Sequence, residues 1–136
     1  MTPLSPFIKF NNSKCREAMT FYKECLGGEL EFMVIKDSPM AKDMPEDKLD
    51  LIMHSTLTGS NWMLIGSDMM QDKATIGDSV GVSFSCQSEE EIRSIFNKLA
   101  DGGDVFMPVE EQFWGALFGV VTDKYGVEWM LNFPNK

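Results

Sequence analysis

The sequence is poor in basic residues and in histidine. Lysine and arginine number 12 against 21 aspartates and glutamates, so the net charge is −9 at pH 7 with the single histidine neutral. A nucleic-acid backbone or an anionic membrane surface attracts basic proteins and repels acidic ones. We therefore expect neither a nucleic-acid partner nor a membrane partner. A single histidine also excludes a metal site built from several imidazoles.

Long apolar runs and paired cysteines are also missing. The longest uncharged stretch, residues 51–67, has 17 residues and many polar side chains, whereas a membrane-spanning helix needs about 20 mostly apolar residues. The first residues carry neither the basic segment nor the apolar core of a signal peptide. Three cysteines without CxxC spacing are typical of reduced thiols, which favours a cytoplasmic protein; they are Cys15, Cys25 and Cys86.

The sequence contains a repeated pattern that predicts one amphipathic helix in each half. Apolar residues at helical spacing predict helices over 14–26 and 89–101, which end at Gly27-Gly28 and at Gly102-Gly103, 75 residues later. Ser88 followed by Glu91 has the spacing of a capping box at the start of the second helix. The first glycine of each pair suits the positive φ that often ends a helix. The chain therefore consists of two similar halves.

Strand patterns surround both helices and predict an α+β protein built from two βαβββ modules. A length of 136 residues corresponds to one domain, 1–136. Module 1 covers about 5–68, the linker 69–79 and module 2 about 80–134. A polar loop, 37–48, accounts for the greater length of the first module. The predicted strands are 6–8, 29–37, 49–57, 62–68, 80–86, 104–109, 114–122 and 127–133.

Alternation along these strands divides the side chains between two faces, because residues i and i+2 share a face. The face predicted to pack under the helices is strongly apolar: Ile8, Phe10, Leu49, Leu51, Met53, Trp62, Leu64, Val82, Phe84, Trp129, Leu131 and Phe133. The opposite face mixes aromatic, methionine and polar residues. Such a face is typical of a binding cleft, although a dimer interface or partly wetted edge strands would have a similar composition.

Two segments carry a family resemblance. Residues 15–22, followed by Gly27-Gly28, and residues 113–126, followed by Trp129-Met-Leu-Asn132, resemble the PhnB-like branch of the vicinal-oxygen-chelate superfamily. This superfamily includes glyoxalase I, bleomycin-resistance proteins and extradiol dioxygenases, and the branch often carries the label 3-demethylubiquinone-9 3-methyltransferase. The resemblance implies a glyoxalase/bleomycin-resistance-like fold, in which the modules form a curved mixed sheet with a cleft. It also implies a homodimer.

The superfamily's metal positions hold no suitable ligands here. Metal-dependent members place His or Glu at four positions that correspond to Phe7, Met63, Gly81 and Met130 in this sequence. Hard and borderline cations need oxygen or imidazole ligands, so we expect no metal and no other cofactor. Two arrangements would restore a metal site. In the first, the register of the last strand differs by one residue and makes Glu128 or Asn132 a ligand. In the second, His54 forms a small metal site with Asp50 and Glu128.

The predicted site residues lie on the mixed face, apart from Trp114, which opens the seventh predicted strand. His54 and Glu128 are the candidate catalytic residues, because the pKa of an unperturbed histidine lies near neutrality and a glutamate can act as a base. Purely structural or solvent-exposed roles are the alternatives for both. The candidate ligand-binding residues supply aromatic, thioether, cationic and amide groups; they are Phe7, Lys9, Met63, Trp114, Met130 and Asn132.

The sequence therefore predicts a PhnB-like protein with a metal-free cleft that binds a small organic molecule. Binding without turnover is one version, and acid–base catalysis by His54 in a lyase or isomerase is another. A metal-dependent glyoxalase or dioxygenase is the first alternative function. Methyl transfer is a more remote one, since the chain has no GxGxxG loop of the kind that binds a nucleotide-like cofactor.

Overall fold

The computed structural model describes residues 4–68 and 74–134. The chain forms two compact units, Met1–Ala74 and Thr75–Lys136. The first unit contains strand β1 (Phe7–Lys9), helix α1 (Cys15–Leu26) and strands β2 (Glu29–Val34), β3 (Ile52–Thr58) and β4 (Met63–Ser67). Its sheet has the order β1-β4-β3-β2, in which β1 runs parallel to β4 and the other pairs are antiparallel.

The second unit repeats this arrangement. It contains β5 (Val82–Ser85), α2 (Glu89–Ala100), β6 (Asp104–Glu111), β7 (Ala116–Thr122) and β8 (Glu128–Pro134). Its sheet order is β5-β8-β7-β6, again with one parallel pair at the β5 edge. Two βαβββ modules and an α+β fold are therefore confirmed. The predicted linker was 69–79, of which 69–73 lie outside the described residues.

Each helix packs on its own sheet through the predicted apolar stripe, α1 on β2, β3 and β4, and α2 on β6, β7 and β8. Ser88 Oγ accepts a hydrogen bond from the Glu91 N–H at 3.0 Å, so the predicted cap of α2 is confirmed. Glu91 Oε1 accepts from the N–H of Gln87, the residue before the cap, instead of from the Ser88 N–H of a standard capping box. The stripe residues buried under the helices are Ala18, Met19 and Tyr22 in α1 and Ile92, Ile95, Phe96 and Leu99 in α2.

The helix ends also agree with the sequence. Gly27 and Gly102 have φ of 81° and 79°, a region in which a side chain would be strained. Among the described residues, no helix is long and apolar enough to cross a bilayer, and this includes α1 and α2.

The segment between β2 and β3 differs from the prediction. Strand β2 ends at Val34 instead of residue 37, and 3₁₀ turns at 35–37, 39–43 and 46–48 follow it. Strand β3 begins at Ile52 instead of residue 49. The register of β2 against β3 shifts between Met33 and Val34, and such a bulge reverses the alternation of side chains. Ile52 is consequently buried, whereas Leu49, Leu51 and Met53 are half-buried.

The sequence repeat is displaced by two residues relative to the structural repeat. The closing pair of the β3–β4 hairpin is Thr58 with Met63, and that of the β7–β8 hairpin is Thr122 with Glu128. Met63 therefore lies at the level of Glu128, and not at that of Met130 as the repeated Trp-Met-Leu segments indicate. A displacement of two residues leaves every side chain on its predicted face, because strand alternation has a period of two.

Candidate functional site

Each sheet has one face covered by its helix and one open face. On the first sheet, Phe7 of β1 lies opposite Ile65 of β4, and Ile65 lies opposite Thr56 of β3. Residues in register across a sheet point to the same side. These side chains therefore form one row across the open face, which continues to Glu31 at the β2 edge.

His54 lies on this open face and is exposed. The centroids of the His54 and Phe7 rings are 6.5 Å apart, with the ring planes tilted by 52°. Met33 of β2 lies directly across from His54. Asp50, which was considered as a metal co-ligand of His54, instead pairs with Lys36 at 3.4 Å on the surface. The first sheet thus brings the predicted residues Phe7 and His54 together beside a thioether that the sequence reading did not single out.

The other two predicted residues of the first unit lie at the ends of strands. Lys9 is the last residue of β1 and is exposed. Met63 begins β4 opposite Thr58, and 39% of its surface is exposed. Both lie on the side of the sheet to which Phe7 points, because they are separated from Phe7 and Ile65 by two residues along their strands.

The open face of the second sheet carries three predicted residues in a line along β8. Glu128, Met130 and Asn132 are all half-buried. Their partners on β7 are Thr122, Val120 and Phe118, respectively. On the other side of β8, Ser83 lies opposite Met130 and Ser85 lies opposite Asn132. A carboxylate, a thioether and an amide therefore point outward from one strand at intervals of about 7 Å.

Gly81, which precedes β5, leaves room for two of these side chains. A Cβ atom at Gly81 would lie 2.5 Å from Met130 Cε and 3.0 Å from Glu128 Oε1. The first distance is shorter than real Cβ contacts and the second is tighter than most, so the thioether and the carboxylate keep these positions at the edge of the sheet because Gly81 has no side chain. The sequence assigned Gly81 to a vacant metal position, and the structure gives it this packing role instead.

Trp114 lies in the turn before β7, not at the first residue of the strand as predicted. Its ring is 5.9 Å from that of Phe118 and 4.9 Å from that of Phe113, with edge-on geometry in both pairs. Trp114 is 52% exposed. Phe118 was not singled out from the sequence, and its pairing with Asn132 across β7 and β8 places it on the open face. Through Phe118, the structure connects Trp114 to Asn132.

Two buried aspartates have structural roles. Asp68 accepts hydrogen bonds from the backbone N–H groups of Cys15 and Ile52, each at 2.9 Å. Asp123 accepts from Tyr125 and Val127 in the β7–β8 turn, and also from the Trp129 indole at 2.8 Å. These bonds use the carboxylates in local architecture, so neither residue belongs to the candidate site. The sequence offered no signal for the contacts of Asp68.

The described cysteine thiols lie in the interior. Burial raises the pKa of the Cys15 thiol to about 12, an effect that a hydrogen bond with Ser55 partly opposes and the charge of Asp68 reinforces. Burial, followed by the charge of Glu91, raises the pKa of Cys86 to about 12. A nucleophilic cysteine reacts as the thiolate, which these two residues do not form near neutral pH.

The residues present do not fit a hard metal ion. Within residues 4–68 and 74–134, no three His, Cys, Asp or Glu side chains are grouped closely enough to share one. The superfamily positions Phe7, Met63, Gly81 and Met130 offer a phenyl ring, two thioethers and a hydrogen atom, none of which is an oxygen or imidazole ligand. The two-residue displacement brings Glu128 to the level of Met63, but a single carboxylate is an incomplete ligand set.

Comparison with known proteins agrees with this architecture over almost the whole chain. The profile of the family described as 3-demethylubiquinone-9 3-methyltransferase matches residues 2–132. Protein YjdN of Escherichia coli (strain K12) is 32% identical over 147 residues, which cover 96% of this chain and 94% of YjdN. The chain belongs to the PhnB-like branch of the vicinal-oxygen-chelate superfamily.

Solved structures of similar proteins extend this assignment. Protein PA1353 from Pseudomonas aeruginosa has a TM-score of 0.86 and 37% identity, with 98% of both chains covered. The PhnB protein from Bacillus cereus has a TM-score of 0.75 and 29% identity, covering 97% of this PhnB-like chain and 99% of its own. A glyoxalase/bleomycin resistance protein/dioxygenase family enzyme from Burkholderia phytofirmans PsJN, with 14% identity and a TM-score of 0.61, shares the fold alone.

Proposed function

We propose that this PhnB-like protein binds a small organic molecule on the open face of its second sheet, without a resident metal ion. The observation that carries the proposal is the line of half-buried Glu128, Met130 and Asn132 next to the Trp114–Phe118 ring pair. Ligand sites typically combine apolar and aromatic surface with a few polar groups that orient the ligand. The superfamily's metal positions hold phenylalanine, methionine and glycine in place of oxygen or imidazole ligands, which supports binding without a metal.

Each group on this face has a role in the proposed binding. The Trp114 and Phe118 rings offer apolar area to a flat ligand. Met130 supplies a flexible thioether that adapts to the shape of the ligand. Asn132 can donate and accept hydrogen bonds, and Glu128 can only accept them when it is ionised. None of these roles requires bond making, so binding without turnover is the simpler form of the proposal.

Native mass spectrometry of the purified protein, followed by amide NMR, tests this function. We expect an organic adduct, or a hit from a library of small organic molecules, that shifts the resonances of the Trp114 indole and the Asn132 amide. Trp114→Ala and Asn132→Leu should weaken binding about tenfold, because each removes a large contact or an orienting hydrogen bond.

A matched control separates loss of the site from loss of the fold. Val105 is 47% exposed and lies opposite the buried Val121, on the other side of the sheet, so Val105→Ala should leave binding unchanged. Stoichiometric divalent metal in the native spectrum would contradict the proposal in favour of the glyoxalase or dioxygenase alternative. The same spectrum tests the homodimer, which stays a prediction.

A further inference from the structure

The strands of the second sheet carry charge of only one sign. Strands β5 to β8 contain no lysine, arginine or histidine, and their charged residues are Asp104, Glu110, Glu111 and Glu128. The sheet of the first unit differs, because Lys9 and His54 lie on its open face. A molecule that rests on the second sheet therefore meets carboxylates and no cationic strand residue.

Register places three of these carboxylates on the open face. Asp104 lies opposite Thr122, Glu128 lies on the other side of Thr122, and Glu110 lies opposite Phe118. Glu111 lies opposite the buried Leu117, which belongs to the side covered by α2. The acidic groups thus lie at both ends of the aromatic and thioether surface, with Glu110 next to the ring that contacts Trp114.

The basic residues described in this unit belong to the other side of the sheet or to its margin. Arg93 is in α2 and pairs with Glu89 at 3.1 Å. Lys98 is also in α2, near its last turn. Lys124 is in the β7–β8 turn. A Cβ atom at Gly102, just after α2, would lie 3.3 Å from Lys124 Cδ, so the aliphatic part of this side chain lies beside the end of α2. These cations therefore do not neutralise the carboxylates of the open face.

We infer that the ligand of the second sheet is an organic cation with a flat ring. The inference deepens the proposed function and rests on it. Exposed indole and phenyl faces attract cations through their negative quadrupole, and nearby carboxylates add to this attraction. An anionic ligand of the same shape is repelled by Glu110 and Glu128, and this repulsion provides the selectivity. The occupant is thus a ring that carries a fixed or protonated nitrogen charge.

Three probes of similar shape test the charge requirement on the full chain: N-methylquinolinium, a cation; quinoline, which is neutral at neutral pH; and naphthoate, an anion. Binding is followed through the indole resonances. The Trp129 indole is buried and bonded to Asp123, so it serves as an internal reference for Trp114. We expect N-methylquinolinium to bind about three- to tenfold more tightly than quinoline and naphthoate to bind most weakly, with the preference decreasing at high salt.

Variants of neighbouring residues provide a matched control. Glu110→Gln combined with Glu128→Gln should weaken N-methylquinolinium binding about three- to tenfold more than it weakens quinoline binding. Glu111→Gln makes the same charge change on the adjacent residue of β6 but on the other face, and should alter binding of the cation less than about twofold. The remaining amide resonances report whether each variant keeps the fold.

The outcomes separate the inference from the proposed function. Equal binding of quinoline and N-methylquinolinium at Trp114, unaffected by the glutamine variants, overturns the cation inference while the binding function stands. Tighter binding of naphthoate overturns it as well. Failure of all three probes and of the organic library to shift the Trp114 and Asn132 resonances overturns the inference and the proposed function together.

Discussion

The carboxylate of Asp68 joins two distant segments of the first unit by accepting a hydrogen bond from the backbone N–H of Cys15. The distance between Oδ1 and N is 2.9 Å, and 53 residues separate the two positions in sequence. The other carboxylate oxygen, Oδ2, accepts from the N–H of Ile52 at the same distance. Asp68 therefore satisfies one free N–H at the start of α1 and one at the start of β3, in place of a side-chain cap from Lys14.

Asp68→Ala should lower the free energy of unfolding by about 2–4 kcal/mol, because it leaves two buried N–H groups without an acceptor. Urea denaturation measures the change. Asp50→Ala is the matched control, since Asp50 has 90% of its side chain exposed and forms only a surface pair with Lys36; stability should stay nearly unchanged. Equal effects of the two substitutions would show that the Asp68 hydrogen bonds add nothing to stability.

Gly119→Ala should destabilise the second unit by about 1–3 kcal/mol, because the core there has no room for a methyl group. Its Cβ would lie 2.8 Å from both Phe96 Cε2 and Val109 Cγ2. A Cβ at Gly77 meets no atom within 4 Å, so Gly77→Ala should leave the melting temperature unchanged or slightly higher. Differential scanning calorimetry compares the two variants, and a stable Gly119→Ala protein would contradict the close packing of α2 on β7.

Alkaline pH should destabilise the protein through its buried thiols. The pKa values of Cys15 and Cys86 rise from 9.0 to about 12 on folding, so the unfolded chain loses these protons first. The stabilisation from the neutral thiols is complete below pH 9 and decreases as pH rises toward 12, by up to about 1.4 kcal/mol per pH unit for each thiol.

The double variant Cys15→Ala with Cys86→Ala isolates this effect. Other groups titrate in the same range in both proteins, so the comparison concerns slopes and not absolute stability. Between pH 9 and 10.5, urea denaturation should give a slope flatter than that of the wild type by about 1–2 kcal/mol per pH unit. Identical slopes would mean that the two thiols ionise as easily in the folded chain as in the unfolded chain.

The proposed binding function predicts that a ligand leaves the protein chemically unchanged. Mass spectrometry of a ligand recovered after prolonged incubation should return the original mass. Conversion of the ligand by the wild type but not by His54→Ala, with affinity retained, would instead support the alternative of acid–base catalysis by His54. Glu17→Ala changes an exposed residue of α1 and serves as the control for contaminating activity in the purified protein.

The elements that the sequence predicted well are those set by local periodicity. The apolar stripes of α1 and α2, the Ser88 cap of α2 and the glycines at both helix ends depend on residues within a few positions of each other. The face of each side chain on a regular strand follows in the same way. Phe7, His54, Glu128, Met130 and Asn132 accordingly lie on the open faces, as predicted from alternation alone.

The errors arose where long-range contacts override periodicity. The bulge between Met33 and Val34 depends on the pairing of β2 with β3, which alternation within one strand does not contain. The backbone N–H of Ile52 donates to Asp68, a residue 16 positions away that alternation within the strand does not reveal. The repeated Trp-Met-Leu segments also suggested the wrong equivalence, since a hairpin's register is set by its turn and its partner strand and not by a short matching sequence.

By itself, the sequence determined the α+β class, the two βαβββ modules, the face of most strand residues and the acidic charge of the whole chain. These properties follow from residue spacing and composition. Only the tertiary structure decided that Met63 lies at the level of Glu128, that Gly81 makes room for Glu128 and Met130, and that Trp114 reaches Phe118. Such relations depend on strand pairing and side-chain packing between segments far apart in sequence, for which a single chain carries no local signal.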